Sequence, residues 1–330
     1  MIISRTPFRV SFFGGGTDYP AWYLEHGGKV LATAIDKYCY ISCRYLPPFF
    51  EHKYRIVYSK IENVKHYNEL RHPAVRAVLS YLECEKGLEI HHDGDLPARS
   101  GLGSSSAFTV GLLNVLYALQ GKYCSSMQLA KEAIHIEQDI IQEHVGSQDQ
   151  ISTSLGGFNR IEFFTDGRFE ITPLIIPNER KSELQKYLML FFTGISRFAS
   201  EVAKSQIENL KKRSSELYAL GGMVDEAIKI LSSKEIPIEE FGQLLHESWQ
   251  YKRKLSEKIT NKVIDDIYNT ARLSGAMGGK IIGAGGGGFI LLFVPPEQQE
   301  KVKKALEKLI YVPFNFENTG SRIVFYHPED

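Results

Sequence analysis

The chain has 330 residues, of which 43% are hydrophobic and 24% charged, enough apolar material for one large domain or two of ordinary size. Lys+Arg and Asp+Glu are both 39, so the formal charge is zero, which argues against broad non-specific binding to nucleic acid or to an acidic membrane face. The longest apolar runs, such as Phe289 to Val294, fall far short of a membrane span. In chain order, IISRTPFRVSFF, KVLATAIDKYCYISCRYL and KYRIVYS read as strands, rich in Ile, Val, Phe and Tyr. Helical patterning covers His72 to Glu85, Ser104 to Leu119 and Ser126 to Val145. Strands return at Gly157 to Phe164 and Phe169 to Thr172. A strand at Tyr187 to Gly194 opens the second half. Helices follow at Ala199 to Leu231, Ile238 to Lys258 and Asn261 to Ser274. Strand KIIGA, a run of glycines, strand GFILLFVP, a helix at Glu297 to Leu309 and strands YVPFNFE and SRIVFYH complete the chain. Strands and helices mix without regular β-α-β alternation, so the expected fold class is α+β. The polar, proline-marked passage Pro177 to Glu183 is the expected seam, dividing the chain into residues 1–180 and 181–330.

Cys39, Cys43, Cys84 and Cys124 form neither a zinc spacing nor a disulfide framework and read as buried thiols. Arg5 and Arg9 stand where a signal peptide needs an apolar stretch. The expectation is a cytoplasmic protein with no membrane and no nucleic-acid partner, as a monomer or a homodimer.

Three glycine-rich segments stand out: Phe13 to Tyr19 (FGGGTDY), Pro97 to Ser106 (PARSGLGSSS) and Gly283 to Gly288 (GAGGGG). A hairpin needs only one or two residues able to take positive φ, so clusters this dense are more than turns. Segments without Cβ atoms let a ligand approach backbone N–H groups, and phosphate uses that arrangement best. The second segment opens a helix with apolar residues Phe108, Leu112, Val115 and Leu119 on one face. Serine suits its N-cap, and the helix dipole would face whatever the loop encloses. The plain alternative is a well-capped helix, but capping needs one serine and not three. Serine hydroxyls beside a triphosphate can also ligate Mg²⁺. No G-x-x-x-x-G-K-[ST] occurs, so this is not a P-loop. The third segment matches G-x-G-x-x-G by letter at Gly283, Gly285 and Gly288, yet a strand follows it where the dinucleotide fingerprint needs a helix. It reads as a glycine loop between strands, close to another backbone or to a ligand.

On the helix after Ser126, the apolar stripe runs Ala130, Ala133, Ile134, Glu137, Ile140, Ile141. Glu137 thus falls on the apolar face, as a metal ligand or as one half of a structural ion pair. Asp149, just past that helix, is either a loop aspartate or a general base beside a metal-bound phosphate. Asp18 is either a turn residue or an acceptor for sugar hydroxyls.

Taken together, PFRVSFFGGGTDY, PARSGLGSSS, the mid-chain Glu and Asp, and KIIGAGGGGF resemble the GHMP small-molecule kinases over nearly the whole chain, from Thr6 to Phe289. The resemblance implies a two-domain fold, with an N-terminal domain like domain 2 of ribosomal protein S5 and a ferredoxin-like C-terminal domain. It implies ATP and Mg²⁺, with the phosphates on Pro97, Arg99, Ser100, Gly101, Leu102, Gly103, Ser104, Ser105 and Ser106. By position, Ser105 and Glu137 would hold the metal, and Asp149 would be the base. Arg9 would favour the alkoxide, and Asp18, Gly15, Gly16, Thr17, Gly285 and Gly286 would meet the acceptor. Gly15 and Gly16 replace the Glu and His of galactokinases, which speaks against galactose. FGGGTDYP followed by an aromatic resembles the D-glycero-D-manno-heptose 7-phosphate kinases, which phosphorylate the anomeric hydroxyl for nucleotide-activated heptose. Thr193 to Arg197 (TGISR) also looks typical of that subgroup, and Arg197 is the first candidate to hold the substrate's phosphate, ahead of Lys37 and Arg253. The rival expectations are a kinase for another sugar such as fucose, or a sugar sensor that keeps the fold without catalysis.

Overall fold

Residues 1–98, 100–195 and 199–328 are described by the computed structural model. Long runs of β-branched and aromatic residues build two extended strands, β1 (Ile2–Phe13) and β2 (Gly28–Tyr45), paired antiparallel. The register shifts beside Pro7, where a residue without an N–H can sit in a sheet. A short helix not expected from the sequence, α1 (Pro20–His26), joins them. Next come β3 (Tyr54–Val57) and β4 (Ile61–Val64), and α2 (Pro73–Tyr81) then leads to β5 (Leu88–Gly94), which runs parallel to β3. Helix α3 (Ser104–Leu119) is apolar nearly all round, and so lies buried against β1, β2, α4 (Ser126–His135) and α5 (Gln148–Leu155). Strands β6 (Phe158–Phe163) and β7 (Phe169–Pro173) extend the sheet from β2.

The passage of the expected seam forms a helix. In α6 (Asn178–Tyr187), Pro177 is the N-cap, and Arg180 turns inward to donate to the Ile230 and Ile236 carbonyls. Beyond it lie β8 (Leu188–Phe192), then α7 (Ala199–Asn209), α8 (Ser214–Ser232), α9 (Glu239–Lys254) and α10 (Lys262–Leu273). The chain continues through β9 (Gly278–Ile281), β10 (Phe289–Phe293), α11 (Gln299–Ala305) and β11 (Ile310–Tyr311). These strands form an antiparallel sheet in the order β11-β8-β10-β9, the β-α-β-β-α-β arrangement of ferredoxin-like folds.

The last strands do not stay there. β12 (Phe316–Glu317) pairs with β2, and β13 (Arg322–Tyr326) pairs with β1, so both ends of the chain share the nine-stranded sheet. A division at residue 180 therefore separates the two sheets only as far as β11. Among the described residues no helix is long and apolar enough to cross a membrane. All four cysteines are free; Cys39, Cys43 and Cys84 are buried, and Cys124 is half-buried.

Candidate active site

The two-residue period of β1 puts Phe8, Val10 and Phe12 on one face and Arg9 and Ser11 on the other. Arg9 is 2% exposed and needs compensation. It finds it in Asp149, which accepts from Nε at 2.8 Å and from Nη2 at 2.7 Å, a bidentate pair. Nη1 of Arg9 donates to the Gly101 carbonyl at 2.7 Å. Asp149 lies in the first turn of α5 rather than in the loop the sequence suggested, because the preceding helix ends early. After His135 the backbone widens into a π turn, Ile136–Ile140, with Ile141 N bonded to Ile136 O. Gln142, in the left-handed region at φ 59°, then reverses the chain.

Glu137 occupies that π turn and is 1% exposed. Its Oε2 accepts from Ser106 Oγ at 2.9 Å and from Gln150 Nε2, whereas Oε1 has no hydrogen-bond partner among the described residues. Burial pushes its carboxyl up to about 7, against the opposing effect of the neighbouring hydroxyls. Among the described residues no arginine pairs with it. The hydroxyl on Glu137 belongs to Ser106; Ser105, one residue earlier, is exposed.

The phosphate-loop expectation needs one correction. The N-cap of α3 is Gly103, in the left-handed region at φ 75°, and no side chain caps the helix. Ser104, Ser105 and Ser106 fill the first turn, the end of a helix whose dipole favours an anion. The carbonyls before them are all engaged. Ser100 O accepts from Phe289 N, Gly101 O from Arg9 Nη1 and Leu102 O from Arg9 N. Ser100 is buried, its hydroxyl without a partner among the described residues, and Pro97 is exposed. Arg99 and Arg197 lie outside the described residues.

The third glycine loop packs backbone to backbone on this one. A Cβ on Gly101 would stand 2.4 Å from Ile282 O, and one on Gly283 would stand 2.6 Å from the Gly101 Cα. Lys252 Nζ holds the Ile281 and Gly283 carbonyls, and Gln206 Nε2 holds Ala284 O. Gly283 and Ala284 border the pocket described next, whereas Gly285 abuts Ile259 and the Gly286 N–H is bonded to Ile259 O. Thr193 and Ile195 brace the far side of the loop through the Gly288 carbonyl and N–H.

Between these loops lies a cavity of about 100 Å³ lined by Arg9, Gly15, Gly16, Asp18, Asp149 and Lys280, among others. Asp18 is 2% exposed and accepts from Gly16 N at 3.0 Å. Burial, with the Asp149 charge adding to it, raises its pKa. A carboxyl of this kind can donate to a sugar hydroxyl as well as accept from one. Gly146 is obligatory here, since a Cβ would stand 1.9 Å from Asp18 Oδ2. Thr17 takes no part in the lining; its hydroxyl closes the turn onto Gly14 O and Lys29 O. Lys37 pairs with Asp36 and Arg253 with Asp265, and neither lines the cavity.

The family model for the N-terminal domain of GHMP kinases matches residues 68–157, and that for their C-terminal domain matches residues 230–312. A D-glycero-alpha-D-manno-heptose 7-phosphate kinase of Campylobacter jejuni is 30% identical over 298 residues, 86% of each chain. The chain belongs to the GHMP kinases. This GHMP kinase is an ATP-dependent sugar kinase. It is also 26% identical over 304 residues to a bifunctional fucokinase/GDP-fucose pyrophosphorylase of Arabidopsis thaliana, 84% of this chain and 28% of that one. The crystal structure of a D-glycero-D-manno-heptose 1-phosphate kinase from Bacteroides thetaiotaomicron superposes with a TM-score of 0.80 at 22% identity, over 99% of this chain and 100% of that one. The shared fold is thus the two-domain GHMP fold.

Proposed function

We propose that this GHMP kinase transfers the γ-phosphoryl group of ATP to the anomeric hydroxyl of D-glycero-D-manno-heptose 7-phosphate, giving the 1,7-bisphosphate. The observation that carries the chemistry is Asp149, held in a bidentate pair by Arg9 on the wall of a cavity where both glycine loops and Asp18 meet. The heptose rests on the Campylobacter relative and on Gly15 and Gly16, which leave room where galactokinases carry larger side chains. The C1 oxygen bonds to the γ-phosphorus as the bond from that phosphorus to the β,γ-bridging oxygen breaks; the hydroxyl proton passes to Asp149 and ADP leaves. Such transfers depend on positioning and electrostatics more than on prior deprotonation, so a carboxylate fixed by Arg9 suits the task. The N-terminal turn of α3 and the loop at Gly101 would hold the triphosphate. Arg197 is the cation proposed for the 7-phosphate.

The donors near Glu137 also fit Mg²⁺, a hard cation that prefers oxygen. The unpartnered Glu137 Oε1 lies beside the serine-rich first turn, where Ser105 would add its hydroxyl. When bound, the ion would neutralise charge on the β- and γ-phosphates.

The test is steady-state turnover on heptose 7-phosphate against free heptose and fucose. The expected result is a preference for the phosphorylated sugar of about 10²-fold or more in kcat/KM, since a site built for a phosphate is left with an unpaired cation by the free sugar. Equal or better use of fucose would reject the heptose assignment and favour the fucokinase-like reading.

A further inference from the structure

Lys280 sits in β9, within the short string GGKII, where neither the glycine pattern nor helical periodicity marks it. It is 2% exposed, yet it lines the same cavity as Arg9, Asp18 and Asp149. The other cations of that cavity are committed to the protein. Arg9 gives Nε and Nη2 to Asp149 and Nη1 to Gly101 O, and Lys252 holds the Ile281 and Gly283 carbonyls. Lys280 Nζ donates once, to Phe12 O at 2.8 Å, and meets no second acceptor among the described residues. A buried amine with two uncommitted N–H bonds is costly unless something polar joins it. Burial and the Arg9 charge hold its pKa down at about 7, so an arriving negative charge would favour its protonated form. Two more buried atoms in this cavity lack partners among the described residues, Ser11 Oγ and Gln148 Oε1. Both side chains reach Gly15, where a Cβ would stand 3.8 Å from Ser11 Oγ and 3.9 Å from Gln148 Nε2.

We infer that Lys280 is a catalytic residue: its ammonium contacts the sugar oxygen that receives the phosphoryl group, while Ser11 and Gln148 hold neighbouring hydroxyls. This rests on the sugar-kinase reading above and moves charge stabilisation from Arg9 to Lys280, leaving Arg9 to position Asp149. As the new O–P bond forms, the hydroxyl proton goes to Asp149, and Lys280 stabilises the charge on the oxygen without itself losing or gaining a proton.

The experiment compares wild type with Lys280→Met and Lys280→Ala by steady-state kinetics on heptose 7-phosphate, with nucleotide affinity read separately by titration of a non-hydrolysable ATP analogue. Lys280→Met is expected to lower kcat about 10²- to 10³-fold, the usual effect of removing a charge-stabilising donor, with nucleotide affinity unchanged. Added ethylamine should restore turnover to Lys280→Ala in proportion to its concentration, and ethanol should not. A Lys280→Met enzyme within about threefold of wild-type kcat overturns the assignment. So does a loss matched in nucleotide affinity, or one that ethylamine fails to relieve, because either marks a lysine that only props the fold. Failure of the heptose reading looks different: wild type would then ignore heptose 7-phosphate and turn over a free sugar, and the same Lys280 comparison is read on that sugar.

Discussion

Replacing Glu137 by Gln tests the carboxylate that the π turn buries. In the folded protein this group holds its proton up to about pH 7, against an ordinary value of 4.5. The native state therefore binds more protons than the unfolded state between those two values, and stability must fall as pH rises through that window. The contribution is fully present below pH 4.5 and lost above 7. The rise from 4.5 to about 7 corresponds to at most about 3.4 kcal/mol, or about 5 °C in Tm for a chain of this length. Glutamine imitates the protonated carboxyl, so Glu137→Gln should lack this slope. Melting curves of both proteins from about pH 5 to pH 8, with and without Mg²⁺ and ADP, measure it. Wild type should lose stability relative to the variant as pH rises, and Mg²⁺ with ADP should restore it in wild type alone, because a metal needs the ionised carboxylate. Parallel curves for the two proteins would show that Glu137 is already ionised in the fold and would refute the reasoning.

Asp149→Asn should keep nucleotide affinity while lowering kcat about 10²- to 10⁴-fold, as expected for a lost general base; single-turnover phosphoryl transfer would measure it, and near-wild-type rates would reject the role. Gly101→Ala should cost about 1–2 kcal/mol for its left-handed backbone, at φ 84°, and more for the overlap with Ile282 O. Calorimetry together with ATP titration would show both losses, and an unchanged melting point would mean that the two loops are not in firm contact.

Much of this site could be read directly from the residues. The glycine runs announce backbone that must come close to something, and Gly101 against Gly283 shows that part of that something is each other. Glu137 was visible because a carboxylate broke an otherwise apolar helical stripe. Other features leave no local trace. Helix α6 is written NERKSELQKY, with almost no apolar stripe, and buries only Arg180 and Leu184, so it resembles a linker. The π turn after His135 adds no glycine or proline, so the helix seemed to run on and Asp149 seemed to follow it in a loop. Lys280 looked like an ordinary strand lysine because its environment comes from β1 and the Asp18 turn, far away in sequence. The serines of α3 satisfy the usual preference for an N-cap, but the backbone at that position is left-handed, at φ 75°, which favours glycine, and a Cβ there would also stand 3.2 Å from Arg9 Cγ.

The pairing of β13 with β1 has a consequence for how the protein is made. A ribosome releases β1 long before residues 322–326, so until those residues emerge one edge of β1 has no neighbour. During that interval the nascent chain offers an open ladder of N–H and C=O groups to any other strand nearby. Products that stop short of β13 should therefore cluster with one another or engage chaperones, even though every described residue lining the catalytic cavity has already been translated.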